Sequence, residues 1–166
     1  MQLKFTPIQP THLNIVLDLF KEAAEKISKM QIDHWQYWKN PPKEKVDWVK
    51  EGIANQEFFF IENPNGDTIG MVRILNEDLL YWGQQTEAAT YIHSLVVKES
   101  YNGKGMGAHI LKNIEAQAKA KNHRYLRLDA DFKNPKLCSY YEQLHFKKVG
   151  TKTLPISVYN LYEKVL

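Results

Sequence analysis

Apolar residues recur along this chain at two spacings, one helical and one strand-like, and the switches between them lay out its elements. An opening strand from Gln2 to Ile8 precedes a helix whose apolar face is Leu13, Val16, Leu17, Phe20, Ala24 and Ile27, with Thr11 placed to cap it. Met30 to Pro42 has no period and is rich in aromatics (His34, Trp35, Tyr37, Trp38). It closes on Pro41 and Pro42, and a short helix follows around Glu44 to Ala54. Two strand-like runs, Glu57 to Ile61 and Thr68 to Leu75, flank Asn65-Gly66, which supplies the positive φ angles of a tight hairpin. Ala89 to Val97 ends in the unbroken apolar run Leu95-Val96-Val97, the pattern of a central strand covered on both faces.

A glycine-rich turn then feeds a helix from about Gly103 to Lys121, with Gly107, Ile110, Leu111, Ile114 and Ala118 on one side. Tyr125 to Asp129 is the next strand. Asn134-Pro135 opens a helix, since asparagine caps free amides and proline suits the first helical position, and Leu137, Tyr140, Tyr141 and Leu144 point inward. Phe146 to Gly150 and Ser157 to Tyr162 close the chain as strands. The order β, α, α, β, β, β, α, β, α, β, β predicts a single α/β domain (α+β) over residues 1–166, a mixed sheet with helices on both faces.

Composition narrows the function. With 166 residues, 43% of them hydrophobic and 25% charged, the chain can bury one sizeable core. The lone Cys138 excludes an intrachain disulfide and fits a reducing compartment. No apolar run approaches the roughly 18 residues that span a bilayer, and the first ten residues lack the order of a signal peptide, so a cytoplasmic protein without membrane partners is expected. A net charge of +3 without clustering argues against nucleic acid and leaves room for a small anionic ligand. Six histidines without ligand spacing give no metal site.

The segment richest in chemistry is Tyr101-Asn102-Gly103-Lys104-Gly105-Met106-Gly107, between a buried strand and an amphipathic helix. Glycines admit a ligand close to the backbone, and the unpaired amides of a helix start favour phosphate. A Walker loop needs Ser or Thr after the lysine, but Gly105 follows Lys104. A dinucleotide fold needs GxGxxG soon after its first strand, whereas GxGxG lies late here, although Asp129 could supply the acidic partner of an NAD-type enzyme. Asn102 to Gly107 resembles instead the Gln/Arg-x-x-Gly-x-Gly/Ala loop of the GNAT (Gcn5-related N-acetyltransferase) superfamily, with Asn102 in place of Gln or Arg. Leu126-Arg127-Leu128-Asp129, Asn134, Leu137, Tyr140-Tyr141 and Phe146 are similar to its second signature, with His145 where glycine is usual.

That resemblance implies a mostly antiparallel sheet and an acetyltransferase that uses acetyl-coenzyme A, without metal, to modify an amine, most simply of a small molecule. Acetylation of a protein amine and a non-catalytic coenzyme A module are the alternatives, and a homodimer is the candidate assembly. It implies that Asn102, Gly103, Lys104, Gly105, Met106 and Gly107 hold the pyrophosphate, that the backbone of Leu95, Val96 and Val97 pairs with the pantetheine arm, and that Asn134 contacts that arm as well as capping its helix. Lys98 and Lys104 can offset phosphate charge. Tyr141 matches the general acid that protonates the leaving thiolate, with core packing as its plain alternative. His93, on the central strand, is the candidate base, with a satisfied structural histidine as the plain reading. Asp129 and Asp131 are candidates to attract a cationic amine. Acceptor choice would fall to residues 27–42, where Trp35 and Trp38 can wall a pocket or simply pack.

Overall fold

The computed structural model describes all residues, 1–166. Its elements are β1 (Lys4–Pro7), α1 (Leu13–Lys29), α2 (Lys43–Ala54), β2 (Phe58–Glu62), β3 (Thr68–Leu75), α3 (Leu79–Trp82), β4 (Ala89–Val97), α4 (Met106–Ala120), β5 (Tyr125–Asp131), α5 (Pro135–Gln143), β6 (Lys147–Thr153) and β7 (Val158–Val165). The strands form a seven-stranded sheet in the order β1-β2-β3-β4-β5-β7-β6, with β1 and β6 at its margins. The β1–β2, β2–β3, β5–β7 and β6–β7 pairs are antiparallel, and β4–β5 is parallel. This is the mixed, mostly antiparallel α/β fold that the resemblance implies.

The chain gathers into two compact units, Met1–Ile74 with Ser94–Ile110, and Leu75–His93 with Leu111–Leu166. In the first, the apolar stripe of α1 (Val16, Phe20, Ala24) is buried with Val49 and Ile53 of α2 and with Phe58 and Met71 of the β2–β3 hairpin. The hairpin turn is tied by Asn63, whose Oδ1 accepts from the amides of Asn65 and Asp67, and Gly66 supplies the positive φ of 88°. Where β3 meets β4 a side chain is excluded, because a Cβ on Gly70 would overlap the carbonyl of Val96. In the second unit, β5 carries Leu126, Leu128 and Ala130 into the core, with Tyr162 and Phe146. Buried Arg127 donates to Glu163 (2.8 Å) and to the Tyr91 hydroxyl (2.8 Å), and lies 4.7 Å from the Tyr125 ring, so its charge is paired as burial requires.

Four local expectations change. Thr11 does not cap α1: Pro10–His12 form a 3-10 turn, His12 Nδ1 accepts from the Gln9 amide, and α1 begins at Leu13. The helix expected from Gly103 begins at Met106, because Gly103 and Gly105 take positive φ. In α5 the buried side chains are Cys138 and Tyr141, while Leu137, Tyr140 and Leu144 are half-buried. β4 is the middle strand of seven, but only its first four residues, Ala89–Ile92, are fully buried in succession.

Candidate functional site

In the first unit, β4 ends in Leu95 and Val97, both half-buried, on either side of buried Val96. The Lys98 amide donates to the Ile69 carbonyl, and a single 3-10 turn, Glu99–Tyr101, brings the chain to Asn102. Asn102 Nδ2 reaches back to the Val97 carbonyl at 3.5 Å, a long contact that anchors the loop to its strand. Gly103 (φ 76°) and Gly105 (φ 68°) are exposed, and a Cβ on either would meet nothing within 4 Å. The glycines are therefore there for the turn's handedness and leave its outer face open.

The first backbone bond onto α4 is from the His109 amide to the Gly105 carbonyl, 3.1 Å. The amides of Gly105, Met106, Gly107 and Ala108 precede it and have no partner within the helix. With the positive end of a 15-residue helix behind them and the exposed ammonium of Lys104 beside them, they suit a diphosphate.

In the second unit, Asn134 Oδ1 accepts from the Leu137 amide at 3.1 Å and Pro135 takes the first helical position, so the capping role read from sequence is what starts α5. Tyr141 lies nearly two turns on, 9% exposed, its ring edge-on to Phe146 (5.9 Å) and 6.0 Å from Tyr162. Burial, and after it the negative charge of Asp129, push the Tyr141 phenol well above its ordinary pKa, so it keeps its proton. The helix leaves through His145, which takes the left-handed conformation (φ 69°) usual for glycine, while the Phe146 amide closes onto the Tyr141 carbonyl at 3.1 Å.

The same unit holds a cluster that sequence reading found only in part. Asp78 caps α3, its Oδ1 accepting from the Tyr81 amide, and its Oδ2 lies 2.7 Å from His93 Nε2. On the other side of the ring, His93 Nδ1 is 3.1 Å from Asp129 Oδ1. The side chains of Asp78, His93 and Asp129 are 6%, 13% and 11% exposed. Burial opposes charge on His93, but Asp129 and Asp78 outweigh it and push the ring's pKa up to about 10. An imidazole in that state has no lone pair with which to take a proton, so the geometry does not suit the base suggested by its place on β4. The three side chains bring one ligating atom each within 4.8 Å of one another, and a metal ion there would have to displace the imidazole protons.

Asp131 is 2% exposed and occupied locally, its Oδ1 accepting from the Lys133 amide and from Ser157 Oγ; it shapes the turn after β5. Asp78 was missed because its partner is 15 residues away. The only local signal was an aspartate before the apolar run Leu79-Leu80-Tyr81-Trp82.

Of the two candidate acceptor residues, Trp38 is 3% exposed and stacked on Phe20 with centroids 3.9 Å apart, so packing accounts for it. Trp35 is half-buried, in the left-handed region (φ 61°) and edge-on to Phe20 at 5.6 Å.

Comparison with known proteins bears on this geometry. A sequence model of the acetyltransferase (GNAT) family matches residues 24–146. An uncharacterized N-acetyltransferase, YesJ, of Bacillus subtilis (strain 168) is 30% identical over 88 residues, which is 52% of this chain and 47% of YesJ, so the match spans about half of that relative's length. Among solved structures, a GNAT-family acetyltransferase from Listeria monocytogenes 4b F2365 is similar with a TM-score of 0.78 at 20% identity, covering 99% of this chain and 95% of that one. The aminoglycoside acetyltransferase AAC(6')-Ib, solved with coenzyme A and kanamycin, has a TM-score of 0.71 at 16% identity, with the same coverage. At those identities the structural likeness speaks for the fold.

Proposed function

Since the chain belongs to the GNAT acetyltransferase family, we propose that it transfers the acetyl group of acetyl-coenzyme A to the amine of a small molecule, with Tyr141 as the general acid. The observation that carries this reading is the turn at Gly103 and Gly105, which leaves the first amides of α4 without helical partners behind an open face. Those amides would hold the pyrophosphate with Lys104, and Lys98 would add charge. The backbone of Leu95–Val97 and the side chain of Asn134 would guide the pantetheine arm. A small-molecule acceptor is favoured by the likeness to AAC(6')-Ib, whose structure holds kanamycin.

The chemistry then asks little of the protein beyond position and proton handling. A neutral amine attacks the thioester carbon, the C–S bond breaks, the sulfur electron pair takes the Tyr141 proton, and the proton lost from nitrogen returns the phenol to its neutral form. A phenol kept neutral by burial remains available for that donation at every working pH.

Two measurements test the reading. Calorimetric titration should show binding of coenzyme A and not of NAD. Thiol release against an amine panel should show turnover that Tyr141→Phe lowers by more than about tenfold with acetyl-coenzyme A affinity unchanged. An unaltered rate in the variant removes Tyr141 from the mechanism. Binding of coenzyme A without turnover of any amine makes the protein a coenzyme A module instead.

A further inference from the structure

One glutamate of α1 has no share in that helix's core, yet its side chain is engaged. Glu22 is half-buried and stands outside the buried stripe of Val16, Leu19, Phe20 and Ala24. Lys26, one turn further on, is the ordinary partner of a glutamate in this place, but Glu22 enters no ion pair. Its Oε1 instead accepts from the Glu99 amide at 2.9 Å, across 77 positions of sequence.

Glu99 opens the 3-10 turn that leads from β4 to Asn102, and an amide at such a start has no acceptor within its own turn. Lys98, at the cap position, cannot supply one, because an ammonium group accepts no hydrogen bond. Glu22 therefore does from α1 what a capping side chain does from the preceding residue. The Lys98 amide is already held by the Ile69 carbonyl, so two successive amides fix the direction in which the chain leaves β4. Beyond Asn102, the residues Gly103, Lys104 and Gly105 are exposed, and the two glycines are the freest links a chain can have. On the far side α4 is anchored by buried Ile110, Leu111 and Ile114. The glycine turn thus hangs between a firmly packed helix and a 3-10 turn that Glu22 ties to α1.

Resting on the acetyl-transfer reading, we propose that Glu22 is a positioning residue for the cofactor. By capping the turn at Glu99 it holds the glycine turn, and with it the first amides of α4, in the arrangement that receives the diphosphate of coenzyme A. The role is one of geometry and runs against charge, since a carboxylate in the neighbourhood of a bound diphosphate repels it. Geometry and charge therefore predict opposite effects when Glu22 is replaced, and two variants separate them. Glu22→Gln keeps an oxygen that can accept from the Glu99 amide and removes the charge. Glu22→Ala removes both, and alanine leaves α1 its helical preference.

Backbone nitrogen relaxation and amide exchange on the full chain, without ligand, test the first half. In Glu22→Ala the order parameters of Ser100 to Gly105 should fall and the Glu99 amide should exchange about fivefold faster. In Glu22→Gln both should stay at the wild-type level. A turn as rigid in the alanine variant as in the wild type overturns the proposal.

For the second half the probe is coenzyme A itself, titrated calorimetrically. Glu22→Ala should bind it about five- to tenfold more weakly, and Glu22→Gln at least as tightly as the wild type. In thiol release the alanine variant should show a KM for acetyl-coenzyme A raised by the same factor with kcat unchanged, because the diphosphate lies away from the reacting atoms. A lowered kcat with KM unchanged marks a merely structural residue and overturns the proposal. Equal tightening in both variants overturns it as well, since charge alone would then be at work. If the wild type binds coenzyme A and Glu22→Ala binds it equally well, the positioning role falls and the acetyl-transfer reading stands. A wild type that ignores coenzyme A brings down that reading and the role of Glu22 together.

Discussion

At the end of α5 a histidine occupies a backbone conformation that costs an L-residue about 1–2 kcal/mol relative to glycine. His145 is exposed there at φ 69°, and no packing of its side chain is needed for the turn, which the Phe146 amide closes by itself. His145→Gly should therefore stabilise the protein by about 1 kcal/mol, raising the melting temperature by roughly 2–4 °C in a thermal scan. The departure from glycine was visible in sequence, and so were the residue types of the candidate site. Their states were not. His93 and Tyr141 are titratable groups whose behaviour depends on what burial and neighbours do to them. The partners that decide it, Asp78 and Asp129, lie 15 and 36 positions from His93 along the chain.

Among elements, the long periodic segments were legible because each buries one face, as α1 does with Val16, Phe20 and Ala24. What escaped was either too short to show a period, as with the four-residue α3, or set by a turn competing with a cap, as with Pro10–His12 ahead of α1. The aromatic stretch between α1 and α2 was ambiguous in sequence because a pocket wall and a packed connection use the same residues. Stacking of Trp38 on Phe20 separates the two. Trp38→Ala should cost about 3–5 kcal/mol of stability by cavity formation. Chemical denaturation would measure the loss, and the surviving folded fraction should bind acetyl-coenzyme A as the parent does.

For the whole molecule, the order of strands and helices followed from the sequence, because a hairpin and a strand-helix-strand-helix run leave few ways to arrange a mixed sheet. Its gathering into two units did not, since β4 and α4 read as uninterrupted elements although each contributes to both. Global stability should carry the mark of the buried imidazolium. A histidine raised from 6.5 to about 10 contributes stability that is complete below pH 6.5 and is lost as pH rises through about 10. Tyr159, pushed up to about 12, adds a loss of the same sign only at higher pH. The melting temperature should therefore fall between pH 7 and pH 10, and His93→Gln should flatten that slope even though it lowers stability at neutral pH.

The outermost strand β6 is exposed along most of its length and carries Lys147, Lys148 and Lys152. An open strand margin invites a second chain to add its own hydrogen bonds, and a row of ammonium groups repels any copy that brings the same row with it. Charge thus discourages head-on growth of this sheet into fibrils from its β6 margin.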